Sequence, residues 1–535
     1  MRFFVRRGWC WVAAIILSQA LVVSAQYRDR IGATTLSAVT NLNGAGIQMA
    51  QIEASDGASL PAFEVNPVAA GQATNIFTYI SSVGSTNAFP NLVGNESGHA
   101  DNVAKICFGI SAGIATNVDH VLNYDADYFF NSIVVSNTPD IHAVVANQSF
   151  IFCNADYSHL DLAAEESADS EYDNYSAQYR TLFISGAGNG GPTNQAIVFP
   201  PATCYNGIGV GAFGGGSSGG PTLDNGRCKP DIVAPASETS FSTPQVAGAA
   251  VLLMQAALRG DAGADTNSAS DLRTVKALLL NGAVKPVDWT NSSLSPLDLR
   301  YGAGVLNVFN SYEQLAGGKH DSMATNTVSL NAAHPPISSS GAISTLMGWN
   351  FATNSSGKNG PPNDCLHHYF FNVTNADSSA SFMATATLVW NRQRNQSAIN
   401  NLNLFLYNCA NSNLVTCSTS LVDNVEHIYV PQLSPGRYDL QVWKAGGASI
   451  VSAAEPYALA WQFVPQPVLS IQGMTSAALA WPLYPAGFQV VAGTNLVAGS
   501  WRTNGFPAAV ITNGQNRLWV NATNSARFFR LEQLP

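Results

Sequence analysis

Four residues of this 535-residue chain have the types and settings for chemistry. Ser240 stands in "SETSFSTPQVAGAAVLLMQ", after Thr239 and at the mouth of a long uncharged run of small and branched apolar residues. A serine opening a buried helix exposes its hydroxyl and sets its backbone N–H where negative charge is favoured. His99, in "GHADNVAKI", falls just inside an expected helix start, and an imidazole can take and return a proton near neutral pH. Glu53 ends the apolar run "IQMAQIEAS", and a carboxylate there can hold an imidazole in one tautomer and offset imidazolium charge. Asn189, in "SGAGNGG", carries an amide that can donate to a developing oxyanion. Singly, each has a plain structural role: a helix cap, a packed histidine, a strand-end acid, a turn.

The elements that must position them alternate in type. Strand-like runs lie at 46–54, 141–150, 179–188 and 208–214, and helical patterns at 98–110, 160–178, 242–258 and 271–283. Strands alternating with helices imply βαβ units and a parallel sheet. Near 316 the texture changes to the polar, glycine-containing "AGGKHDSMATNT". From 325 to 466 strands and turns alternate without a helix, a β-sandwich pattern. "PQPVLSIQG" (465–473) reads as a hinge into a last set of short strands ending in "SARFFRLEQLP".

The chain order acid, histidine, asparagine, serine resembles that of the subtilisin-like serine peptidases, over roughly residues 40 to 315. "KPDIVAP" (229–235), "GAGNGG" and Thr239, Ser240, Pro244, Val246, Ala247 and Gly248 carry the likeness, and "GHADNVAKI" adds to it more weakly. The resemblance implies a three-layer parallel-sheet α/β domain over 26–316, after a signal peptide over 1–25. Two all-β sandwich domains follow, at 325–466 and 467–535. It assigns Ser240 as nucleophile, His99 as general base and acid, Glu53 as orienting acid and Asn189 as oxyanion donor beside the Ser240 N–H. The substrates implied are proteins or peptides, with no required cofactor; a structural calcium is left open, without a location. The β modules imply stabilisation, or docking to a cell surface or matrix. The alternative is a catalytically impaired binding or adhesion protein on the same fold.

Departures cluster at the site. The family ends its strand in Asp-Thr-Gly or Asp-Ser-Gly, whereas this chain has Glu53-Ala54-Ser55, with Asp56 as a second candidate. Glu238 replaces a glycine beside the nucleophile; if close to His99 it would raise the histidine's pKa. The loop from Pro235 to Ser240 is short, and Phe150 and Ile151 stand where small residues would line the substrate strand, so bulk there would narrow the cleft. Few residues lie between Ala25 and the first strand, which implies folding without a prodomain.

Composition bounds the rest. The net charge of −10 lacks the basic patch that nucleic acid requires. Arg2, Arg6 and Arg7 precede the apolar stretch Trp9 to Val23, and Val23-Ser24-Ala25 is a small-x-small cleavage site. The mature chain is thus expected to be secreted, with no membrane span. Seven cysteines remain after position 25. Cys409 with Cys417 suggests a hairpin staple, and Cys204 with Cys228 and Cys107 with Cys153 are further pairings. "CLHHY" (365–369) reads as a loop entering a strand, and Asp423, Asn424 and Glu426 as a solvated turn rather than a calcium site.

Overall fold

The computed structural model describes the chain except residues 1–26, 56–60, 91, 191–196, 356–362, 375–380, 449, 473–475, 495–500, 503–505, 513, 522–526 and 534–535. The expected signal segment and Asp56 therefore lie outside the described residues.

A parallel sheet carries the first half of the chain. Its strands are β1 (Gln48–Glu53), β2 (Phe77–Ile80), β3 (Thr86–Ala88), β4 (His120–Asp125), β5 (Val145–Gln148), β6 (Leu182–Gly186), β7 (Ile208–Phe213) and β8 (Ile232–Pro235). They lie in the order β8-β7-β6-β5-β1-β4-β2-β3, and only the β2–β3 pair is antiparallel. Both faces are covered, as parallel sheets require. Along β1 the faces alternate: Met49 joins the core beneath α1 (Gly98–Phe108) and α2 (Thr239–Arg259), while Ala50 and Ile52 join the opposite layer with Tyr172 and Phe183. Gln51 and Glu53 share the Met49 face, towards α1.

Helix α2 runs through that core. Among the described residues it alone is long and apolar enough to cross a membrane, yet 83% of its apolar window is buried in the protein. Its small residues permit close packing: a Cβ on Gly248 would lie 2.6 Å from the Ile114 Cβ. The helix begins at Thr239, not at the expected 242, so Ser240 sits inside the first turn. Strands β2, β4 and β8 escaped the sequence reading because two are four residues long and "HVLNYD" is half polar.

The second half is all β up to the C-terminal strands. A five-stranded sheet packs on a four-stranded one over 324–465, around Trp461, Tyr369, Phe371 and Leu404. "CLHHY" lies within the strand Asn363–Val373. A smaller set of antiparallel strands from Ser470 to Gln533 surrounds Leu479, Trp481, Val490 and Leu518.

The sandwich is joined to the α/β domain by buried contacts. Trp349 donates from Nε1 to the Leu315 carbonyl at 3.1 Å, and Val389, Val425 and Ala458 belong to the same core cluster as α2. Asp423 and Asn424 are 5% exposed, which corrects the solvated-turn reading. Asp423 accepts from the Cys228 N–H at 2.7 Å, and Asn424 donates to the Tyr205 carbonyl at 2.9 Å. Glu426 is fully buried, and its carboxylate accepts from Ser418 Oγ. Asp423 and Asn424 thus fasten one domain to the other, while Glu426 is held within the sandwich.

The expected disulfides are absent: all seven described cysteines are thiols. Cys417 lies opposite Phe405 in its hairpin, four positions short of Cys409. At about 3.3 Å per residue that offset is roughly 13 Å, about twice the Cα separation a disulfide spans. Cys107 packs its sulfur 3.9 Å from Met49 Sδ, and Cys228 its sulfur 3.1 Å from Ser295 Oγ.

Candidate active site

The structure joins the four residues in two pairs, Glu53 with His99, and Asn189 with the helix start that carries Ser240. Glu53 is the last residue of β1 and is 1% exposed. His99 is the second residue of α1, whose start is capped by Ser97 Oγ accepting from the Ala100 N–H. Its Nδ1 lies 2.8 Å from Glu53 Oε2, which sets Nδ1 as the donor and leaves Nε2 to face outward. The His99 ring lies 6.3 Å from the ring of Phe241, the residue after Ser240. Among the described residues no hydrogen bond yet joins Ser240 Oγ to His99, and such bonds commonly tighten only around substrate.

Ser240 owes its setting to two irregularities of α2. Pro244 lacks the N–H that would bond the Ser240 carbonyl in a regular helix. That carbonyl instead accepts from Ser149 Oγ at 3.1 Å, which ties the Ser240 backbone to the end of β5. At the helix start, the Thr239 N–H and Oγ1 both donate to Asn189 Oδ1, at 2.8 and 2.9 Å. The Ser240 N–H has no partner among the described residues.

The Thr239 bonds orient Asn189. With Oδ1 holding two donors, the amide must present its NH2 away from Thr239. Strand β6 ends at Gly186 rather than at Asn189, and Gly188 turns the chain with a φ of +104°, a conformation other residues seldom adopt. Asn189 is exposed.

Two departures take a definite form. Glu238 precedes the helix in extended conformation and caps nothing with its side chain. Burial alone would lower the His99 pKa. The charge of Glu53, its hydrogen bond and the charge of Glu238 together outweigh burial and raise the pKa above the ordinary value. Phe150, by contrast, turns inward: it is 8% exposed and its ring lies 5.7 Å from that of Phe152, so the expected narrowing does not come from its side chain. Ile151 stays half-buried at the surface.

Sequence reasoning missed Gln51, Ser149 and the role of Thr239. Gln51 Nε2 donates to Glu53 Oε1 at 2.8 Å and to the Ala100 carbonyl at 2.9 Å. Its signal was available: a polar residue two positions before the acid shares its strand face. Ser149 and Thr239 gave no such signal, since their partners are distant in sequence. For metals, no group of three or more His, Cys, Asp or Glu that could hold an ion occurs among the described residues.

The family model of the Peptidase S8 subtilase family matches residues 84–304, a span that takes in His99, Asn189 and Ser240 and begins after Glu53. No curated protein matches the chain. Among solved structures, the prenylagaramide maturation protease PagA aligns with 19% identity over 54% of this chain and 99% of its own, at a TM-score of 0.35.

Proposed function

We propose that this chain, whose residues 84–304 match the subtilase family model, is a secreted serine endopeptidase working through Ser240, His99, Glu53 and Asn189. The observation that carries the reading is the 2.8 Å contact of His99 Nδ1 with a buried Glu53, beside a serine in the first turn of a buried helix.

In this mechanism Ser240 Oγ attacks the scissile carbonyl carbon. His99 Nε2 takes the hydroxyl proton and returns it to the leaving amine. The Glu53 carboxylate holds Nδ1–H and offsets the imidazolium charge. The oxyanion lies against the Ser240 N–H at the positive end of α2 and against the amide that Thr239 orients on Asn189. Water then releases the acyl group by the same steps in reverse. Protein or peptide chains are the substrates. Secretion rests on the arginine-led apolar segment that ends at Ala25. The test is covalent labelling: a fluorophosphonate probe should modify the folded chain at Ser240 and leave Ser240→Ala unlabelled. No labelling of folded protein between about pH 5 and 10 would leave a binding protein on a peptidase fold.

A further inference from the structure

We propose that Gln51 is a positioning residue that fits the domain to a glutamate as orienting acid; this rests on the serine-peptidase reading above. A glutamate has one more rotatable bond than an aspartate, and its carboxylate must be held if it is to face the imidazole along one line. Gln51 supplies that hold. Both hydrogens of its amide are committed, one to Glu53 Oε1 at 2.8 Å and one to the Ala100 carbonyl at 2.9 Å. The first bond leaves Glu53 Oε2 to His99. The second fastens the acid's strand to the residue next to the base. One side chain thus fixes the acid, the base's helix and the distance between them.

The orientation of the amide shows which partner governs it. Gln51 is fully buried, and its Oε1 has no hydrogen-bond partner among the described residues. A half-turn of the amide would set Oε1 against the Glu53 carboxylate and the Ala100 carbonyl, both acceptors. The side chain therefore leaves its own acceptor unpaired so that its donors meet the acid, an arrangement unsatisfied polar groups disfavour unless something compensates. The compensation is a charge-assisted bond to a buried carboxylate. Other charges also act here. Glu238 acts on His99 together with Glu53, Asp101 of α1 interacts with Glu53, and Asp125 is its cross-strand neighbour on β4.

The test uses the full chain. Gln51→Met keeps length and removes the donors. It is expected to lower kcat about tenfold to hundredfold with KM within about twofold, as the loss of one charge-assisted hydrogen bond would. The acid limb of kcat/KM should move to lower pH as the carboxylate drifts from the imidazole. In a Glu53→Gln background the same substitution should change kcat by less than about twofold, whereas a purely structural role would cost the same in both. Gln51→Asn, which keeps the amide but draws it back by about one bond length, is the second variant should Gln51→Met fail to fold, and should act in the same direction. A readout independent of turnover is the NMR titration of His99, assigned by its loss in His99→Gln: its midpoint should fall in Gln51→Met. Unlabelled wild type would overturn the peptidase reading alone. An unchanged His99 midpoint, or equal losses in both Glu53 backgrounds, would overturn the role of Gln51.

Discussion

Replacing Glu53 by aspartate would give this chain the family's usual acid, and the geometry argues that it harms the site. Glu53 Oε2 already lies 2.8 Å from His99 Nδ1, with Oε1 held by Gln51. Removing one methylene withdraws the carboxylate by about 1.3 Å, to roughly 4 Å from the ring, past hydrogen-bond range. For a charged pair at an effective dielectric of about 20, that retreat costs about 2 kcal/mol of attraction to the imidazolium. The lost charge-assisted bond overlaps with this term, so about 2–3 kcal/mol is the working figure. Glu53→Asp should therefore lower kcat/KM about 30- to 150-fold, by the relation of about 1.4 kcal/mol per decade. The assay is turnover of a peptide ester across pH, with fluorophosphonate inactivation rates as a check on Ser240. The acid limb should also fall, because less of the charge that raises the His99 pKa remains nearby. Activity equal to or above wild type would refute the view that the backbone is already set for glutamate.

Two further outcomes follow from the same structure. Glu238→Gln removes the smaller of two acidic influences on His99; activity needs the neutral imidazole, so the acid limb of kcat/KM should shift to lower pH, seen in a pH–rate profile. Arg392 stacks over Tyr205 at 4.9 Å and pairs with Asp173 at 2.7 Å across the buried domain junction. Arg392→Met removes the cation but leaves that carboxylate the N–H groups of Tyr205 and Asn206, and should cost about 1–3 kcal/mol, read as a lower midpoint in denaturant unfolding.

The legible part of the fold was its periodic part. The four helices expected from spacing are present, as are the strands around Glu53 and before Asn189, because apolar periodicity is written locally. Short or polar strands such as "FTYI" and "HVLNYD" were not legible, since burial between neighbours makes them strands. The cysteines misled because proximity in sequence is not register: the hairpin around 409–417 sets its two thiols at different levels. Asp423 and Asn424 misled for a related reason. A polar turn looks solvated until a second domain supplies its hydrogen-bond partners.

At the site the division is similar. The residue types were legible segment by segment: a serine opening an apolar helix with a proline inside it, a histidine at a helix start, an acid at a strand end, an asparagine in a glycine turn. Those are properties of short segments, and short segments carry their own signals. Only the tertiary structure decided what those types can do together. It set Glu53 on His99 rather than on solvent, turned Phe150 into the core, gave the Ser240 carbonyl to Ser149, and aimed the Asn189 amide by way of Thr239. Each of these depends on an ångström-scale distance between residues far apart in the chain, and such distances come from the packing of helices on the sheet.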